Sequence, residues 1–372
     1  MIQTLNSKQR ELWIAISRIS AQNIAPLLLL HGDPEWLEEA FFRKDPELTG
    51  KLTESEWNQM IRTHDPAGLD AILRRMNGDG IRTLTVCDPD YPDRLRQISD
   101  PPLILFYQGS LSAPKSRTMA MIGSRRASSF GLRIAEATAE GLSKAGVTIA
   151  SGLAYGIDSS SHQGCLKGSA PTIAVLGCGL DILYPSGNER LKSRILDQGG
   201  LFLSEYPPGD KPLAHHFPVR NRIISGISQG VILIEARIQS GSMRTIDHAL
   251  NQGREIFVYP GNPESECFTL NHTLLRDGAR IFFSPREILE DMGWLDNSGI
   301  VGQNIEGSDL PDKLSDAERK IFQALRSGPA GFDQLAAETG LEASDLLGKL
   351  TMMQIRGLVE PLPGKCYGLK KG

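Results

Sequence analysis

Seven short apolar runs, rich in β-branched residues, recur between residues 118 and 283, each closed by glycine or a turn and most followed by a stretch of helical character. They are Thr118 to Ile122, Val147 to Ala150, Thr172 to Leu176, Leu201 to Ser204, Val231 to Ile234, Glu255 to Val258 and Arg280 to Phe283. Near-continuous apolar strands alternating with helices mark a parallel sheet covered on both faces, because each crossover lays a helix over the sheet. The pattern therefore predicts an α/β core of Rossmann-like, doubly wound, mainly parallel type over residues 101–290. Before it, Leu12, Ile14, Ile16, Ile19 and Leu27 to Leu30 follow a helical period, interrupted at His31-Gly32-Asp33-Pro34 and without strand alternation. Residues 1–100 are accordingly expected to form a small helical domain. Residues 291–312 have no period and many Gly, Asn and Asp, as a linker does. Residues 313–372 read as helices from Ser315 to Arg326, Phe332 to Glu338 and Ala343 to Arg356, then a wing from Leu358 to Leu369, the order of a winged helix.

Composition narrows the class. With 372 residues, 40% hydrophobic and 23% charged, the chain is that of an ordinary globular protein, which excludes wholesale disorder, collagen-like repeats and a disulfide-stapled miniprotein. Cys87, Cys165, Cys178, Cys267 and Cys366 are far apart, with no CxxC pair, so neither a metal site nor a disulfide framework is expected and a reducing cytoplasm fits. The apolar run from Ala25 to Leu30 is too short to span a bilayer, and Lys8, Arg10 and Glu11 precede it; no membrane association is expected.

The net charge of −4 speaks at first against a nucleic-acid partner. By segment it becomes −4 for residues 1–100, +3 for 101–290, −5 for 291–312 and +2 for 313–372. The core is mildly basic, and its arginines gather in a few loops. Met121-Ile122-Gly123-Ser124-Arg125-Arg126-Ala127-Ser128 follows the first core strand, and a helix opens near Ser129. Gly123 permits close backbone approach, a helix N-terminus favours an anion, and two guanidinium forks suit phosphate oxygens. The plain alternative is a turn with two solvated arginines.

In His215-His216-Phe217-Pro218-Val219-Arg220-Asn221-Arg222, Pro218 is expected just before a helix, with Arg220 and Arg222 in its first turn, where cations oppose the dipole and call for an anion. Phe217 beside them offers a face for a base. Alternatively Phe217 is core, and the arginines pair with carboxylates such as Glu205 or Glu235. Ser240-Gly241-Ser242 opens a further helix as another anion nest, with Arg237 and Arg244 nearby. Several phosphate-suited loops on one sheet edge fit an extended polyanion better than one small phosphate.

Enzymatic readings are weaker. Ser151, Asp158 and His162 lack the Gly-x-Ser-x-Gly elbow of a hydrolase, and Asp158 and His162, four apart, make a structural pair as readily. Gly177-Cys178-Gly179 lacks the third glycine of a dinucleotide fingerprint, since Ile182 stands there, so no nicotinamide or other cofactor is expected.

The runs GSRRAS at 123–128, SGLAYGID..SH at 151–162, GCGLDILYP at 177–185, HFPVRNRIISGIS at 216–228, EA...SGS..T at 235–245, and PG at 260–261 with N..LL.DGA at 271–279 together resemble the core of the DNA-processing protein A (DprA, or Smf) family in order and spacing. Asp90-Tyr91-Pro92 with Asp100-Pro101-Pro102 resembles the lead-in. The resemblance spans essentially the whole chain and implies a sterile-alpha-motif-like N-terminal domain and a C-terminal winged helix. It implies a non-enzymatic protein that binds single-stranded DNA on its core and forms a homodimer through it. Such a protein shields incoming strands during natural transformation and loads the RecA recombinase.

By motif, the DNA-binding candidates are Gly123, Ser124, Arg125, Arg126, Phe217, Arg220, Asn221 and Arg222, joined by Lys211 and by Ser240, Gly241 and Ser242; no catalytic or metal-binding residue is among them. Tyr155 stands where the family more often has Arg, which leaves that rim less basic. The alternative function is a nucleotide-processing, phosphoribohydrolase-like enzyme on a related core, but its PGGxGTxxE loop is replaced by Gln239 to Asp247, without the glutamate. A pure adaptor that contacts RecA and never DNA is the third reading. In the winged helix, Glu342 and Asp345 open the recognition helix and only Lys349 and Arg356 follow, a poor surface for a major groove. A minor or protein-contacting role is expected there.

Overall fold

The computed structural model describes residues 7–17, 34–295, 315–326, 330–355, 358–362 and 366–369. The chain divides into two compact units, Met1–Trp294 and Leu295–Gly372.

A nine-stranded sheet organises the first unit. Its strands are β1 (Arg82–Thr85), β2 (Ile104–Gly109), β3 (Thr118–Ile122), β4 (Thr148–Ser151), β5 (Thr172–Leu176), β6 (Leu201–Ser204), β7 (Gly230–Leu233), β8 (Glu255–Val258) and β9 (Arg280–Ile281), in the order β1-β2-β6-β5-β4-β3-β7-β8-β9. β3 to β9 all pair in parallel, as the seven apolar runs predict. β2 joins β6 antiparallel, and β1 joins β2 antiparallel. The expectation of a strand-free segment before residue 100 is thereby corrected. β1 has only four residues, two of them fully buried, so no alternation develops, and its ladder partner lies some twenty residues on.

Helices cover the sheet. In the N-terminal layer they are α1 (Ser7–Ile16), α2 (Pro34–Arg43), α3 (Pro46–Thr49), α4 (Glu54–His64) and α5 (Pro66–Gly78). Their starts are written locally: Thr53 and Glu56 form a capping box at α4, and Asp65 followed by Pro66 caps α5. Trp13, Leu37, Leu48 and Met60 of this layer share one apolar cluster with Phe106, Leu176 and Phe202 of the sheet. Burial of each such side chain contributes about 1.5–3 kcal/mol.

The remaining helices of this unit are α6 (Asp93–Arg96), α7 (Ser129–Lys144), α8 (Ile157–Cys165), α9 (Glu189–Asp197), α10 (His216–Gly226), α11 (Ser242–Asn251), α12 (Thr269–Arg276) and α13 (Pro285–Asp291). Along β3 the side chains alternate between two clusters. Met119 and Met121 pack with Ala135 and Leu142 of α7, whereas Ala120 and Ile122 pack with Ile223 of α10 and Ile246 of α11. That period of two, with helices on both sides, is the doubly wound arrangement. Trp294 closes the unit, its carbonyl accepting a 3.0 Å bond from Arg117. Of the linker expected over 291–312, residues 296–312 lie outside the described residues, as do Ile19, Leu27 to Leu30 and Arg356.

The second unit contains α14 (Asp316–Arg326), β10 (Ala330–Gly331), α15 (Phe332–Thr339), α16 (Ala343–Ile355), β11 (Val359–Leu362) and β12 (Cys366–Leu369). Its three strands pair antiparallel in the order β10-β12-β11, over a core that includes Ile321, Leu335, Leu350 and Met353. Three helices with a β wing constitute a winged helix. Among the described residues no helix is long and apolar enough to cross a membrane, and all five cysteines are free thiols.

Candidate nucleic-acid interface

β3 has β4 on one side and β7 on the other, so the chain reverses direction across the sheet at the β3/β7 boundary. In open α/β sheets the crevice outside the carboxyl ends of the strands at such a point receives ligands. Here it is a cleft of about 880 Å³. Gly123, Ser124, Arg125 and Arg126 line it from the loop after β3, Phe217, Arg220 and Asn221 from α10, and Ser240, Gly241 and Ser242 from the start of α11 and the loop before it. Sequence candidates far apart in the chain are thus brought to one place, with two exceptions, Lys211 and Arg222.

The loop after β3 is wedged between two others. The Ser124 N–H donates to the Glu235 carbonyl at 2.7 Å, and the Ser124 carbonyl accepts from the Ile157 N–H at 3.2 Å. Gly156 lies at φ 80°, where a Cβ would overlap the Ser124 carbonyl. With the backbone so engaged, the Arg125 and Arg126 side chains are left exposed. Among the described residues, Arg125, Arg126 and Arg244 of the cleft form no ion pair.

The N-terminus of α7 is not the open anion site that its sequence suggests. Ser128 Oγ accepts the Gly131 N–H at 3.0 Å, and the buried Glu235 carboxylate accepts from the Ser128 N–H at 2.9 Å and from its hydroxyl at 2.5 Å. A Cβ on Gly131 would overlap Glu235 Oε2. An internal carboxylate therefore already satisfies this helix end, and the cations available to a phosphate here are the arginines.

α10 begins three residues earlier than expected, at His216, so Pro218 occupies its third position, where the missing N–H costs no helical bond. Arg220 and Arg222 consequently leave the first turn. Two residues apart on a helix, they point about 200° apart. Arg220 turns toward the cleft floor, where its guanidinium donates to the carbonyls of Gly152, at 3.0 Å, and Val175. Gly152 has no side chain because that guanidinium sits against it. Burial lowers the Arg220 pKa to about 10, with nearby Asp158 acting in the opposite sense, and the group remains a cation.

Arg222 turns the other way. It holds Glu205 with two bonds of 2.6 and 2.8 Å and Asp100 at 3.1 Å, and its side chain is 6% exposed. Burial opposes its charge, but Glu205 and Asp100 reverse that effect and raise its pKa. The assignment of Arg222 to DNA is corrected: it is a structural cation with its donors engaged.

The aromatic of the motif stays at the cleft. Phe217 is half-buried, with the guanidinium carbons of Arg125 and Arg220 5.5 and 5.9 Å from its ring centroid and Tyr184 at 5.5 Å. Lys211 is exposed but outside the lining, although Pro212 and Ala214 of the same connection reach it. Arg237, Arg244 and Tyr184 also line the cleft yet stood outside the candidate set. Arg244, two residues into α11 beside the Ser-Gly-Ser nest, carried the clearest sequence signal.

The hydrolase triad does not assemble. Ser151 Oγ donates to the Met121 carbonyl at 2.7 Å, and Asp158 accepts from the backbone N–H groups of Gly152 and Ala154. The buried His162 places Nδ1 2.7 Å from Thr172 Oγ1, whose own hydrogen goes to the Ile149 carbonyl. Nδ1 must therefore carry the proton, and Nε2 is buried without a partner among the described residues. Burial lowers the His162 pKa to about 3, so the ring is neutral.

Comparison with known proteins agrees in extent and order. The family model of DNA recombination-mediator protein A matches residues 82–293, and that of the DprA winged helix domain matches residues 308–365. The Smf protein of Synechocystis is 34% identical over 76% of this chain and 79% of its own, and the Smf protein of Escherichia coli 37% over 76% and 75%. Among solved structures, DprA of Streptococcus pneumoniae superposes with a TM-score of 0.65 at 32% identity, over 77% of this chain and 99% of that one. DNA processing protein A of Helicobacter pylori, whose structure gives insight into a unique single-stranded DNA binding mode, superposes with a TM-score of 0.52 at 29% identity, over 57% and 95%. The chain belongs to the DNA recombination-mediator protein A family.

Proposed function

We propose that the chain binds single-stranded DNA in the β3/β7 cleft and acts, without catalysis, as a recombination mediator that shields incoming strands during natural transformation and loads RecA onto them. In this reading it works in the cytoplasm as a homodimer joined through its α/β core. The observation that supports it most is the placement of Arg125, Arg126 and Arg244, without an ion pair among the described residues, in one cleft with a half-buried Phe217 at the switch point. Phosphates meet exposed guanidinium groups there, and a base meets an aromatic face. The H. pylori relative's single-strand binding supports the same ligand.

The phosphoribohydrolase alternative lacks support at the residue level. Asp247 stands at the position of that family's glutamate, on α11, exposed and outside the cleft lining. Titration with single- and double-stranded oligonucleotides at two salt concentrations tests the proposal. Preference for the single strand with a steep salt dependence is expected. Preference for duplex, or base release from nucleoside monophosphates at a catalytic rate, would overturn it.

A further inference from the structure

Beside the cleft lies a second, smaller recess of about 60 Å³ that shares Arg125, Ala154, Tyr184, Phe217 and Arg220 with it. Tyr155 and Tyr184 flank its mouth, 50% and 41% exposed, and Gly177 admits the Phe217 ring at its back, where a Cβ would stand 3.1 Å from Phe217 Cδ1. Half-exposed tyrosines on loops are ordinarily free to turn; these two are held. The Tyr155 hydroxyl accepts the Gly187 N–H at 3.3 Å, with its ring over a residue that has no side chain to displace it. Buried Asn188 then clamps the two loops together, donating to the Leu153 carbonyl at 2.8 Å and to Ser159 Oγ at 2.9 Å. Tyr184 is fixed from the other side by Phe217. Rigid aromatic faces presented to solvent lose little entropy when a flat ligand covers them.

Resting on the reading of the cleft as a single-strand site, we infer that this recess takes the nucleobase next to the one that meets Phe217, with Tyr155 as its stacking platform. Continuity selects the occupant. The recess opens onto the same exposed Arg125 that meets the backbone in the cleft, so a strand leaving the cleft past Phe217 keeps its phosphate on a cation while its next base reaches the tyrosine. Every base has a π-face, so the contact is tolerant of sequence. No additional phosphate is engaged, and this distinguishes the step from binding in the cleft itself.

The test measures single-strand affinity of the full chain as a function of salt for wild type, Tyr155→Ala, Tyr155→Phe and Arg125→Ala, using a pyrimidine oligonucleotide and a set in which one position at a time is abasic. Stacking of one base on an aromatic is worth on the order of 1–3 kcal/mol, so Tyr155→Ala should weaken binding at least about fivefold with the salt slope unchanged. Tyr155→Phe, which keeps the ring but loses the hydroxyl bond that holds it, should bind between wild type and Tyr155→Ala, and one abasic position that weakens wild type should have no effect on Tyr155→Ala. Wild-type affinity in Tyr155→Ala beside a weakened Arg125→Ala would overturn the recess alone. Wild-type affinity in both variants would overturn the cleft reading as well.

Discussion

Replacing Arg222 by Ala separates the structural arginine from those proposed to face DNA. In the folded chain its guanidinium forms two bonds to Glu205, reaches Asp100 at 3.1 Å, and also donates to the backbone carbonyls of Asp100 and Val219, with the Glu205 and Asp100 side chains only 13% and 18% exposed. Truncation strands two carboxylates in a poorly solvated place. Removing one partner of a buried pair costs about 3–5 kcal/mol, a large share of the roughly 5–15 kcal/mol that holds a domain together. With a urea slope of roughly 3 kcal/mol per molar, the unfolding midpoint should fall by about 1–1.7 M. Arg222→Lys keeps the charge but loses the fork, so its midpoint should lie between the two. The assay is urea unfolding followed by circular dichroism, alongside oligonucleotide anisotropy under conditions in which each variant is folded. Folded Arg222→Ala should bind single strands within about twofold of wild type. A wild-type midpoint with lost binding and a shallower salt slope would refute the reasoning and return Arg222 to the groove.

Further outcomes follow from the same geometry. Gly156→Ala puts a Cβ at φ 80° against the Ser124 carbonyl and should lower stability by at least about 1–3 kcal/mol while also weakening single-strand binding, because the loop carrying Arg125 must shift; equal stability in thermal unfolding would contradict this. His162 takes its proton at pH about 3 in the fold and near 6.5 once unfolded, so its contribution is present above pH 6.5 and is lost on acidification at about 1.4 kcal/mol per pH unit. His162→Asn, which retains a donor toward Thr172, should flatten the pH dependence of the urea midpoint across that window, and parallel curves would count against a neutral His162. A chain ending at Trp294 should keep most of the single-strand affinity, since the cleft lies wholly within the first unit; loss of most of it in the same titration would assign the winged helix a DNA-binding role.

What could be read from the chain depended on whether the information was local. The inner parallel strands were legible because they are buried on both faces and so are apolar nearly throughout, as in Thr118–Ile122, and the exposed edge strand Arg280–Ile281 was read from the apolar run it opens. β1 and β2 escaped, since four residues such as Arg82–Thr85 show no period and their place is fixed by a partner distant in sequence. The loop motifs converge because the carboxyl ends of parallel strands share one edge, a consequence of topology alone. The arginines were harder to sort. A helix start placed three residues late put Arg220 and Arg222 together in the first turn, although a spacing of two cannot share a helix face. The partners that decide the matter, Glu205 and Asp100, lie 17 and 122 residues from Arg222. The internal anion at α7, Glu235, is likewise 107 residues from Ser128, and no local pattern announces it.

The central claim, that the arginines around Phe217 hold the backbone of a single strand, is tested most directly by the salt dependence of single-strand affinity in wild type and Arg125→Ala. The account predicts that loss of one phosphate contact lowers the magnitude of the log–log slope by about 0.7 and weakens binding uniformly across sequences, with urea stability within about 0.5 kcal/mol of wild type. An unchanged slope and affinity in Arg125→Ala would contradict it.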